Sequence, residues 1–104
     1  MATLTETVRR EWQDGHRRFD ALARDPVAGP RLLEHLEIVT DELRKRIGQT
    51  YTLGELVATY RDADRWAREL LEERAPQPGW PRDLTLVVAA AFAAYQRGAT
   101  DYEP

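Results

Sequence analysis

The sequence predicts an all-α fold, a compact four-helix bundle with helices over about 3–24, 30–47, 52–74 and 82–97. Three observations predict it. Apolar residues recur at steps of three and four in four separate segments. Proline and glycine punctuate the chain between those segments. No stretch alternates apolar and polar residues over five or more positions, and no Asn-Gly pair marks a hairpin. With 104 residues, the chain is expected to form a single helical domain over 1–104.

The first helix opens on Thr3-Leu4-Thr5-Glu6, the pattern of a capping box in which the Thr hydroxyl and the Glu carboxylate satisfy free backbone donors. Leu4, Val8, Trp12, Gly15, Phe19 and Leu22 then trace one helical face. Gly15 is out of character, because glycine inside a helix costs about 1 kcal/mol relative to alanine. It either lets another backbone approach or bends the helix. Asp25-Pro26 ends the segment, since the residue before proline avoids helical angles.

Pro30 suits the first turn of the second helix, where its missing N–H has no helical partner to lose. Leu32, Leu33, Leu36, Val39, Leu43 and Ile47 form its apolar stripe. Arg44, Lys45 and Arg46 favour the negative end of the helix dipole, and Gly48 stands where a left-handed C-cap belongs.

The third helix carries the strongest start signal. Thr52-Leu53-Gly54-Glu55 fits a capping box, and Tyr51 and Leu56 are spaced for a hydrophobic staple around it. Leu53, Leu56, Val57, Tyr60, Ala63, Ala67, Leu70 and Leu71 continue the stripe, which predicts one unbroken helix over 52–74. Trp66 falls about one position off that stripe, beside Asp64, Arg65 and Arg68. An exposed Trp among arginines has the composition of an interface hot spot; a wider core stripe is the alternative.

Three prolines and a glycine between 75 and 81 predict a stiff connection, with Trp80 folded back onto a helix end. The fourth helix is apolar nearly all round, through Leu84, Leu86, Val87, Val88, Phe92, Tyr95 and five alanines. A helix without a polar face is buried on every side. It is therefore either the central element wrapped by the other three, or packed on one side against a second copy. A polar tail follows, with Tyr102 either free or tucked onto the bundle.

Composition excludes several chemistries. There is no Cys and no Ser, so disulfides, thiolate metal sites and Cys or Ser nucleophiles are ruled out. No apolar stretch reaches the length of a membrane span, no secretory signal is evident, and a cytoplasmic location is expected. The two histidines, His16 and His35, belong to no metal motif and are expected to be solvated or at the edge of the core. Glu34–Glu37, Asp62–Asp64 and Glu69–Glu72–Glu73 lie on polar faces with Arg neighbours, as solvated surface does. No catalytic residue, cofactor or metal is expected, and the chain is read as a non-enzyme.

Two resemblances are carried by short segments. Tyr51-Thr52-Leu53-Gly54-Glu55-Leu56-Val57 looks like the opening of the first DNA-binding helix of MerR-type regulators. The continuation departs from that family, with no Gly-Val turn and no recognition helix after it. As a whole the chain resembles the small all-helical proteins of high-GC actinobacteria. That likeness rests on fourteen Arg against one Lys, and on segments such as Phe92-Ala93-Ala94-Tyr95-Gln96-Arg97-Gly98-Ala99. It implies a fold style and no activity.

The function expected from these residues is a regulatory or adaptor module that binds another protein and self-associates through the fourth or first helix. Arg61, Arg65, Trp66 and Arg68 are the candidate contacts. The alternatives are a dimeric DNA-binding regulator using Arg9, Arg10, Arg17 and Arg18, disfavoured by a net charge of −3, and a bundle that binds a small ligand between its helices.

Overall fold

Trp12, fully buried, sits at the meeting point of three helices and organises the core. The structure, a computed structural model, describes residues 4–74 and 81–98. Five helices follow one another: α1 (Leu4–Ala23), α2 (Gly29–Ile47), α3 (Leu53–Tyr60), α4 (Ala63–Arg74) and α5 (Pro81–Gln96). Among the described residues the fold is all-helical, as expected, but with five helices and not four. The Thr3 capping box, the 75–80 connection with Trp80 and the tail with Tyr102 lie outside the described residues.

The difference in number arises within the third predicted helix. No proline or glycine interrupts Tyr60-Arg61-Asp62-Ala63, yet α3 ends and α4 begins there. Arg61 N–H donates to the Ala58 carbonyl at 3.4 Å, a tightened last turn. The Asp62 carbonyl then accepts from both Arg65 and Trp66 N–H at 3.1 Å, starting a new helix. The buried face of α4 is Ala63, Trp66, Ala67 and Leu71. Counted from Ala63, that is the i, i+3, i+4, i+8 pattern of a core-facing helix, and Trp66 belongs to it. Of the two readings of Trp66, the wider core stripe is the one found: only 6% of it is accessible. The Arg46 guanidinium of α2 covers its ring at 4.8 Å, and Glu42 holds that guanidinium at 2.9 Å.

α5 is the central element. Leu84, Val87, Val88, Ala91 and Phe92 are buried, and each of the other four helices packs against it. One chain thus supplies the surround that its apolar composition demands, and that composition no longer requires a second copy. Where α1 crosses it, Gly15 faces Ala89 so closely that a Cβ on Gly15 would collide with the Ala89 Cβ. Close approach is the reason for Gly15, and helix propensity yields to packing there. Trp12 of α1, Tyr60 of α3 and Phe92 of α5 form an aromatic triad, with ring centroids 5.1–5.5 Å apart.

The helix ends follow local chemistry. Thr52 Oγ1 accepts from Glu55 N–H at 3.1 Å, as an N-cap should. Its hydroxyl donates to the Glu55 carboxylate at 3.3 Å. Gly48 closes α2 at φ +79°, a conformation that favours glycine. The Tyr51 hydroxyl donates to the Tyr95 carbonyl at 2.6 Å, tying the start of α3 to the end of α5. Two other expectations are corrected. Leu22 was placed on the buried stripe of α1 but is 40% exposed, because it lies in the last turn as the chain leaves for α2. Leu33 of α2 is 52% exposed, because the buried face of α2 runs through Leu32, His35, Val39 and Leu43.

Candidate partner-binding cleft

α1 packs against α2, α3 and α5, whereas among the described residues its backbone makes no close approach to that of α4. A cleft of about 620 Å³ occupies the gap. The break at Arg61 and Asp62 lies between α3 and α4, at the cleft's edge. α1 lines it with Thr7, Val8, Glu11, Asp14, Gly15 and Arg18, one face at helical spacing. Tyr60 and Arg61 close one side from the end of α3, and Asp64 projects from the first turn of α4. Thr85, Leu86 and Ala89 of α5 complete the lining.

The floor is apolar. Val8 and Ala89 are buried, and Leu86 is half-buried. The rim is charged. Asp14 holds Arg17 and Arg18 at 3.3 Å each, pairs within one helix and open to solvent. The Tyr60 hydroxyl donates to Glu11 Oε2 at 3.3 Å. Burial, with the negative charges of Glu11 and Asp64 beside it, pushes the Tyr60 phenol up to about 12. Its ring is the one member of the aromatic triad that reaches the cleft.

The residues singled out in the sequence are distributed unevenly around this site. Of the four candidate partner contacts, Arg61 lines the cleft. Arg65 and Arg68 lie exposed on α4, with Arg65 3.6 Å from Asp62. Trp66 lies inside the core. Of the four candidate nucleic-acid contacts, Arg17 and Arg18 share Asp14. With the Gln96 amide turned so that its oxygen faces the guanidinium, Arg9 donates to it through Nε at 2.7 Å and Nη2 at 3.0 Å. Arg10 is exposed. The strip is thus largely engaged with its own chain.

His16 is half-buried with Asp20 3.6 Å away, whereas His35 is 1% exposed, deep in the core and not at its edge. Among the described residues no three His, Cys, Asp or Glu side chains are grouped to hold a metal. No helix of the described residues is long and apolar enough to cross a membrane.

Tyr60 and Glu11 are the site residues that sequence reasoning missed. Tyr60 stood on the core stripe, and nothing in its spacing distinguishes a core aromatic from one at the edge of a cleft. A second hollow of about 680 Å³ borders Leu33, Glu37 and Arg44. All its lining residues but Arg74 come from α2, so it is the open flank of one helix and not a space between several. No protein-family model, curated protein or solved structure gives a significant match to this chain.

Proposed function

We propose that the protein is a non-enzymatic interaction module whose α1/α3/α4/α5 cleft receives a segment of a partner protein. The observation that carries this reading is the cleft itself, with its apolar floor, half-buried aromatic and exposed Arg61. That is the arrangement of an interface anchor site, where an apolar centre excludes water and a polar rim sets orientation. Within the Arg/aromatic face expected from the sequence, the aromatic contact is Tyr60 and not Trp66. Self-association is retained as one form of partner binding, with the cleft rather than α5 as its seat.

Photo-crosslinking tests this. A benzoylphenylalanine at Thr85, on the cleft wall, is expected to capture a discrete protein adduct in cells. The same group at Glu69, on the exposed side of α4, is expected to capture none. An adduct of twice the chain mass identifies a second copy. Equal labelling from both positions, or no labelling from Thr85, overturns the proposal.

A small-ligand reading has one observation in its favour, since the cleft volume lies within the range of small-molecule sites, roughly 300–1,000 Å³. A thermal-shift screen that finds a ligand whose stabilisation is lost in Tyr60→Ala would replace the proposed partner by that ligand.

A further inference from the structure

The cleft is chemically two-sided. Its floor of Val8, Leu86 and Ala89 offers apolar carbon, and its rim offers the carboxylates of Glu11 and Asp64 together with the Tyr60 ring. The ions of the rim do not cancel. Asp14 is matched by Arg17 and Arg18 of its own helix. Among the described residues Glu11 and Asp64 have no cation within ion-pair distance, and Arg61 is the one lining cation without a carboxylate.

An apolar floor below unmatched carboxylates suits one kind of side chain better than others. Lysine and arginine lay a hydrocarbon stem along apolar surface while the charged head stays at the polar edge. An aromatic face beside that head adds a cation–π attraction. An acidic segment would instead meet the two unmatched carboxylates of Glu11 and Asp64 with like charge, against the single unmatched cation, Arg61, that a basic segment meets.

Resting on the proposed partner-binding role, we infer that the cleft takes a basic amphipathic segment of a partner protein. A Lys or Arg of that segment lies over Val8 and Leu86 with its head between Glu11 and Asp64, against Tyr60. The phenol of Tyr60 is raised first by burial, and the charges of Glu11 and Asp64 add to it. Glu11 comes from α1 and Asp64 from α4, so one cation bridges two helices that face each other across the cleft. Occupancy therefore joins α4 to α1.

The test is an NMR titration of the full chain with two synthetic amphipathic peptides, one of Leu, Ala and Lys, the other with Glu in place of every Lys. The Lys peptide is expected to shift the amides of Val8, Tyr60, Asp64 and Leu86. The paired substitution Glu11→Gln with Asp64→Asn is expected to weaken it about tenfold, the combined effect of two solvent-exposed charge contacts. Glu69→Gln with Glu72→Gln, which removes equal charge from the exposed flank of α4, is expected to leave its affinity unchanged. Equal weakening by both double variants means attraction to net charge alone and overturns the inference. Cleft shifts caused by the Glu peptide overturn the basic assignment while the cleft remains the binding site. No cleft shift with either peptide overturns the inference, and Thr85 crosslinking then decides separately whether a protein binds there.

Discussion

Tyr60 and Trp66 stand six residues apart on what the sequence presents as one helix, each close to arginines, and the fold treats them in opposite ways. Trp66 is sealed. Arg46 of α2 covers its ring, Glu42 steadies that arginine, and the pair closes the junction of α2 with α4. Tyr60 is left half-open, its ring against Trp12 and Phe92 and its hydroxyl at the edge of a cleft. An aromatic beside an arginine is thus not in itself a contact surface. It becomes one where the neighbouring helix is held away, as α4 is from α1.

The largest expected effect breaks the sealed member of the pair. Trp66→Ala removes a buried ring and leaves a cavity, a change that costs about 3–5 kcal/mol in protein cores. Urea denaturation should show a midpoint lowered accordingly. A loss below about 1 kcal/mol would mean that Trp66 is not part of the core.

Next in size is Gly15→Ala, at the crossing that forms the back of the cleft. The added methyl meets Ala89, and overpacking of this kind costs about 1–3 kcal/mol, offset by up to about 1 kcal/mol of helix propensity. A net loss of stability is expected on thermal melting. A gain would show that α1 and α5 have room between them.

The smallest effect sharpens the open member. The folded-state phenol of Tyr60 is raised from 10.0 to about 12, first by burial and then by Glu11 and Asp64. Its contribution to stability is therefore fully present below pH 10 and is lost as pH rises from 10 towards 12. Tyr51, raised chiefly by burial and also by Tyr95, acts in the same direction. Tyr60→Phe should reduce the slope of stability against pH in that window without removing it. An unchanged slope would place Tyr60 in open solvent.

Much of this fold was legible in the residues. Pro30, Gly48 and the Thr52–Glu55 cap mark helix ends because each acts on backbone groups within one turn. The all-round apolar composition of α5 already named it as the central helix or a self-association face, and the other four helices do pack against it. The candidate site was far less legible. Arg61 was named, but for a face built on Trp66. Tyr60 stands on the core stripe, and nothing in the pattern singles out Glu11.

By itself, then, the sequence determined the helical class, the helix ends at Pro30, Gly48 and Thr52 and the residues able to fill the core, because hydrogen bonding, capping and amphipathic period are short-range properties. The tertiary structure decided the break at Arg61 and Asp62, the burial of Trp66 and the gap between α1 and α4. Those outcomes depend on how α3 and α4 each turn an apolar face towards α5, which is a balance of packing between segments distant in the chain. No local pattern at Tyr60-Arg61-Asp62-Ala63 encodes it.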